Sequence, residues 1–252
     1  MNYRSLFYLL ATLLIVSCGS YKQSYNYSIV SMTGTIVEMD EEQGTHEEMQ
    51  ALVDKYKVSL DKEMNDILGE SAEFMPYGRP ESLLTNFTAD VMKEYGNNHW
   101  PEGADVSIMN VHGHRAFLPK GDITLGNLYE IYSFDNAISY LELKGEDLSK
   151  IFDAYARIGG AGISSIARLV IKNREIVSAT LDGKPIDKDR VYHVVTIDYL
   201  ADGNDSMKAF QNALKIENTN ITLRDVMIDY VREQTAKGKA ITSQLDGRIT
   251  IE

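Results

Sequence analysis

The chain has 252 residues, 44% of them hydrophobic and 25% charged, with only 5 prolines. That is enough to bury a core as one large domain or two small ones. The formal net charge of −12 excludes nucleic acid as a partner, because a phosphate backbone demands clustered Lys and Arg. A single phosphate or nucleoside held at a local positive site remains compatible with it.

Residues 1–17 read as a secretory signal, with Arg4 ahead of an apolar run from Leu6 to Val16. The run is shorter, by roughly five residues, than a membrane span requires. Ile15-Val16-Ser17-Cys18 is similar to the lipobox of bacterial lipoproteins, whose cysteine becomes the acylated N-terminus. Cys18 is the only cysteine, so no internal disulfide is available to it. The alternatives are lipidation at Cys18 or a free thiol, and lipidation explains the residue. The expected protein is exported, anchored to the cell envelope through lipid, and faces the periplasm.

Residues 18–44 follow as a polar, tyrosine-rich tether with a short strand pair around Gly34. Thr45-His46-Glu47-Glu48 fits a capping box. Met49, Leu52, Val53, Tyr56, Leu60, Met64 and Ile67 then recur at helical spacing up to Gly69. A second helix is predicted from about Glu81 to Tyr95, with Gly96 after it. Val106 and Ile108 mark a strand opening into a loop over 110–119. Thr124 caps a short helix, 140–143 is a strand, and Gly145 begins another helix. Beyond the glycine-rich stretch at 159–162 come strands at 166–171 and 176–181, joined around Asn173. Asp182-Gly183 is a turn, Val191 to Ile197 a strand, and Thr222 caps a last helix to about Thr235. A strand from Arg248 to Ile251 closes the chain. Strands and helices without strict alternation point to a mixed α+β fold.

The residues offer no autonomous catalytic engine. His112 and His114 are the only close histidine pair, and alternate residues of an extended loop can point the same way. A transition-metal site needs a further ligand, and no metal-binding motif supplies one, so a polar loop or substrate contact is the commoner role. No nucleophile elbow and no phosphate loop ending in Lys-Ser/Thr occurs. The informative segments are loops. Asn110 to Arg115 follows a strand, and an Arg in such a place suits a phosphate or carboxylate through bidentate hydrogen bonds. Ser133-Phe134-Asp135-Asn136 sets an aromatic beside an amide, and 198–205 sets Tyr199 near carboxylates. Two aromatics can clamp a planar base at about 1–3 kcal/mol per stacked base. Taken singly, each has a plainer reading: Arg115 as a surface residue paired with a local acid, Phe134 and Tyr199 as core residues at element ends.

Taken in order, these segments resemble the C-terminal domain of the 5'-nucleotidase family. The stretches that carry the resemblance are Glu81-Ser82-Leu83-Leu84-Thr85-Asn86-Phe87, Asn110 to Arg115, Gly121 to Tyr129, and Ser133 to Asn136. It continues through Leu143 to Leu148, Gly159 to Ser164, Gly183-Lys184-Pro185, and Asp198 to Asp205. The match is collinear over roughly residues 45 to 252. It implies two β-sheets packed between helical layers, with residues 45–75 as a linker-type helix and 76–252 as the folded domain.

The resemblance also implies roles. Arg115 with Asn110 would hold the phosphate or ribose side, and Arg79 would match a second substrate arginine. Phe134 and Tyr199 would sandwich the base, Asn136 would read its edge, and Asp205 would bind ribose hydroxyls. Gly160 would let backbone approach the base. Departures from the family pattern are His112, His114, Ser133, Asp135, Asn204 and Ser206, the first two bracketing the arginine loop. The metal-bearing motifs of the family's catalytic half, Asp-x-His and Gly-Asn-His-Glu/Asp, do not occur. The expectation is therefore a nucleotide-recognition component with no catalytic residue, metal or cofactor of its own. It works in nucleotide catabolism with a separately encoded metallophosphoesterase that supplies divalent metals. A non-catalytic nucleoside- or nucleotide-binding lipoprotein is the alternative, and a domain retained without binding is a third.

Overall fold

The computed structural model describes residues 46–252. The signal, Cys18, the tether, the strand pair around Gly34 and Thr45 of the expected capping box lie outside the described residues.

Helix α1 (Glu47–Met64) is regular, yet none of its residues is buried, and its apolar stripe of Met49, Leu52, Val53, Tyr56 and Leu60 is exposed. It stops at Met64 and not at Gly69. Strand β1 (Ile67–Ser71) takes the residues after it into an antiparallel ribbon with β3 (Gly121–Thr124). Tertiary pairing overrides the helical periodicity there, because Leu68 and Ser71 gain burial as strand residues. Gly69 is needed for that packing: a Cβ on it would lie 2.8 Å from Val231 Cγ1 and 2.3 Å from Thr235 Oγ1.

Helix α2 (Leu83–His99) starts at a capping box in which Ser82 and Thr85 exchange side-chain-to-backbone bonds. It runs through Gly96, where the sequence predicts a stop. That glycine is a contact and not a terminator, since a Cβ on it would come within 2.5 Å of Val195 Cγ2. Strand β2 (Val106–Met109) follows, then β3 and α3 (Leu125–Ile131), capped by Thr124 as expected. Strand β4 (Ala137–Lys144) leads directly into α4 (Gly145–Ile158), which ends on Gly159 in the left-handed region.

The remaining elements are β5 (Gly162–Ile163), β6 (Ala167–Lys172), β7 (Glu175–Leu181), β8 (Lys184–Pro185) and β9 (Val191–Ile197). After them come the one-turn helix α5 (Asp198–Ala201), a 3-10 turn at 208–212, β10 (Lys215–Thr222), α6 (Leu223–Ala236) and β11 (Ile249–Ile251). The β6–β7 hairpin turns on Asn173 and Arg174, both at positive φ, and β7–β8 on Asp182-Gly183, also both positive.

Two main sheets result, of order β10-β4-β9-β2-β5 and β11-β6-β7-β8. The β1–β3 ribbon is a third sheet beyond the expected two. Helix α2 packs on β2, β5 and β9 and against α6, while α4 packs on β4 and β9 and also on β6 and β7. Helix α4 therefore lies between the two main sheets, and the fold is α+β. The centre of the five-stranded sheet is the core: Ile138, Leu141, Leu143, Val194, Val195 and Ile197 are buried.

This topology fixes where ligand loops gather. β2 and β9 are parallel neighbours, so their C-terminal ends lie at one edge of the sheet. β4 runs antiparallel to β9 with Ile138 opposite Ile197, so the beginning of β4 lies at that same edge. The loop after β2, the loop before β4 and the segment after β9 converge there.

Candidate functional site

Those three segments enclose a cavity of about 310 Å³ lined by Asn110, His112, Gly113, Arg115, Phe134, Asn136, Tyr199 and Asp205. Six residues singled out from the sequence thus share one wall system. Phe134 is 47% and Tyr199 39% exposed, so neither is a core residue at an element end. The volume is at the small end of the range for small-molecule pockets.

The polar geometry links the segments. Asn110 Nδ2 donates to Asp205 Oδ2 at 2.6 Å, and the Tyr199 hydroxyl donates to Asp205 Oδ1 at 3.1 Å. The hydrogen bond to Asp205, and then its charge, raise the Tyr199 pKa above the ordinary value. Asn204 Nδ2 donates to the Tyr199 carbonyl at 2.8 Å, closing the segment on itself. Asn110 Oδ1 is buried with no hydrogen-bond partner. Across the cavity, the Arg115 guanidinium lies 5.4 Å from the Phe134 ring centroid. Among the described residues Arg115 forms no salt bridge, which sets aside its reading as a surface arginine paired with an acid.

The histidine pair divides. His112 is exposed and lines the cavity, whereas His114 is 1% exposed and points into the core. The loop is a turn and not an extended strand: His114 N donates to the Val111 carbonyl at 3.1 Å, so the two rings face different ways. His114 Nδ1 is 3.1 Å from that same carbonyl, and Nε2 is 2.8 Å from Thr88 Oγ1. Nδ1 therefore carries the proton and Nε2 accepts from Thr88. Burial holds the His114 pKa down to about 4. Among the described residues no group of three or more His, Cys, Asp or Glu is arranged to hold a metal ion.

Arg79 and Gly160 are not part of the cavity wall. They meet each other, Arg79 Nη1 donating to the Gly160 carbonyl. Gly160 has φ +97°, and a Cβ there would lie 2.4 Å from the Pro80 carbonyl oxygen. The close approach its missing side chain permits is that of the Pro80 backbone. Gly113, which sequence reasoning passed over, is required in the same sense: a Cβ would be 2.5 Å from Asn110 Oδ1. His112, which the sequence marks as half of a close histidine pair and as a departure from the family pattern, is the member of that pair that reaches the wall.

Comparison with known proteins gives this architecture relatives. Residues 67–212 match the family model described as 5'-nucleotidase, C-terminal domain. Protein UshA of Yersinia enterocolitica is 24% identical over 137 residues, 53% of this chain and 25% of that protein. The cell wall protein Lmo0130 of Listeria monocytogenes is 27% identical over 186 residues, 67% of this chain and 23% of that protein. The crystal structure of a 5'-nucleotidase precursor from Thermus thermophilus superposes with a TM-score of 0.70 at 24% identity, covering 81% of this chain and 42% of that one. The chain thus spans about a quarter of these two curated relatives. The family model covers more than half of the sequence, and the chain belongs to the 5'-nucleotidase C-terminal domain family.

Proposed function

We propose that this chain is the nucleotide-recognition component of a split 5'-nucleotidase of the cell envelope, working with a separate metallophosphatase in nucleotide catabolism. The observation that carries the reading is the convergence of Asn110, Arg115, Phe134, Asn136, Tyr199 and Asp205 on one small cavity. Two half-exposed aromatic rings suit the faces of a base. Asn136 offers both a donor and acceptors to its edge, and the Asp205 carboxylate accepts from ribose hydroxyls. Arg115, with no acid to neutralise it, serves a phosphate. Asn110 Oδ1 is an acceptor that no donor within the protein satisfies.

In this reading the activation of water and the stabilisation of the leaving oxygen fall to divalent metals on the partner. The envelope location rests on the apolar N-terminal run with Cys18 and on the relative named as a cell wall protein. No helix among the described residues is long and apolar enough to cross a membrane.

Calorimetric titration of the purified protein with AMP, adenosine and inorganic phosphate tests the recognition half. Binding of AMP or adenosine, lost in Arg115→Ala and Tyr199→Ala, is the expected result, and no binding by the intact protein refutes it. Release of phosphate from AMP by the protein alone refutes the need for a partner.

A further inference from the structure

The segment from Tyr132 to Asn136 carries two of the eight cavity residues, Phe134 and Asn136, and contains no proline. Phe134 is half exposed, and among the described residues its one ring contact is the exposed side chain of Arg115. The Ser133 hydroxyl donates to the Glu130 carbonyl at 2.8 Å and the Tyr132 hydroxyl lies 2.7 Å from Thr88 Oγ1, but the ties that reach past Phe134 come from the first turn of α6, outside the cavity. Arg224 Nη1 donates to the Tyr132 carbonyl at 2.9 Å, and Nη2 pairs with Asp135 Oδ1. The guanidinium lies 4.2 Å over the Tyr129 ring, and the neighbouring Leu223 N donates to the Asn136 carbonyl at 2.9 Å. The ties thus fall at 132, 135 and 136, on both sides of Phe134. The Arg224 side chain is only 12% exposed, so its fork is pre-set and not a surface rotamer.

We infer that Arg224 is a positioning residue for base recognition: it fixes the backbone on which Phe134 and Asn136 are mounted, without touching the ligand. The inference rests on the nucleotide-recognition reading above. The two partners of the clamp are unequal. Asp135 is 78% exposed, and an ion pair so open to water contributes little. The bond to the carbonyl of the buried Tyr132 is shielded and carries most of the effect, with the packing on the more exposed Tyr129 beside it. The same residue in a purely structural role would change stability and leave the local order of the segment tied to global unfolding.

The test compares Arg224→Gln, Arg224→Lys and Asp135→Asn with the unaltered protein, by adenosine titration, thermal melting and amide hydrogen exchange without ligand. Arg224→Gln is expected to weaken adenosine binding on the order of tenfold, as loss of a charged hydrogen bond does. Arg224→Lys keeps the charge without the fork and falls between. Asp135→Asn changes affinity less than about threefold. Exchange should quicken at residues 133–136 and at Leu223 while β4 and β9 keep their protection. If the unaltered protein binds adenosine and Arg224→Gln binds it equally well, the inference is wrong and the recognition reading stands. If affinity falls only together with protection across β4 and β9, Arg224 is structural and the inference again fails. No binding by the unaltered protein removes both.

Discussion

Asn110 and Asp205 are 95 residues apart in sequence and are joined at 2.6 Å across the mouth of the cavity. The other oxygen of the same carboxylate receives the Tyr199 hydroxyl. One carboxylate thereby sets both the loop after β2 and the angle of an exposed aromatic ring. Replacing Asp205 by Asn keeps the shape but removes the charge that Tyr199 feels. Ring-labelled tyrosine NMR should show one tyrosine titrating at lower pH in Asp205→Asn, since the raised pKa of Tyr199 comes first from that hydrogen bond and then from that charge. Adenosine affinity should fall about tenfold, whereas Tyr199→Phe, which keeps the ring, should lose less. An unchanged tyrosine titration would show that the link is not made in solution.

His114 gives the protein an acid-sensitive core. Its folded pKa of about 4 is depressed by burial from the ordinary histidine value of about 6.5. The unfolded chain therefore binds more protons between those values. Stability is full above about pH 6.5 and declines as pH falls toward 4, by about 3 kcal/mol if the whole shift is expressed. Carboxylates titrate in the same window, so the quantity to measure is the difference between the intact protein and His114→Gln. That difference should favour the intact protein near pH 7 and shrink steadily toward pH 4. A constant difference across the range would mean that His114 does not carry the slope.

Why some of this was legible in the sequence, and some not, follows from where each signal resides. Thr124 and Thr222 announce helix starts through local hydrogen bonds, and both caps form. Val191 to Ile197 is a central strand whose apolar run needs no context to be read. β10 gave no such signal because it is an edge strand, Lys215 to Thr222, exposed along most of its length. Gly69 and Gly96 misled for one shared reason: both look like terminators and serve instead as places where another element approaches. In the site, Phe134 and Tyr199 stand out through the composition of their loops, and the resemblance gives them their roles. His112 shares a wall with residues from distant loops, and Arg224 reaches Tyr132 and Asp135, 92 and 89 residues away, which spacing alone does not reveal.

Arg248 is the most consequential buried charge. It is 1% exposed and joins the last strand to α2: Nη2 lies 3.0 Å from Asp90 Oδ2, and Nε lies 2.9 Å from Asp246 Oδ1. Nη1 donates to the Ile163 carbonyl at 2.8 Å, and Glu81 Oε1 and Oε2 accept from the backbone N–H groups of Gly247 and Arg248. Removing the guanidinium leaves Asp90 without its cation and Asp246 with only the more distant Arg168, at 3.5 Å. Arg248→Met should therefore destabilise by about 3–5 kcal/mol in denaturant unfolding. Arg248→Lys, which keeps the charge and loses the fork, should cost less. A loss under about 1 kcal/mol for Arg248→Met would show that the network is solvated and not a structural tie.

Ser206 offers the opposite outcome. It has φ +68° and follows Asp205 at φ +51°, two side-chain-bearing residues in succession in the left-handed region. That conformation costs an L-residue roughly 1–2 kcal/mol, and glycine escapes the steric part of it while losing more entropy on folding. Among the described residues the Ser206 side chain makes no hydrogen bond that would offset the strain. Ser206→Gly should raise stability by about 0.5–1 kcal/mol, read as a higher denaturant midpoint with an unchanged slope. The position lies next to Asp205, so the substitution also separates rigidity from recognition. A stabilised variant with unaltered adenosine affinity shows the strain to be incidental to the site. A stabilised variant with weakened affinity shows that the strained turn holds the Asp205 carboxylate in its place between Asn110 and Tyr199.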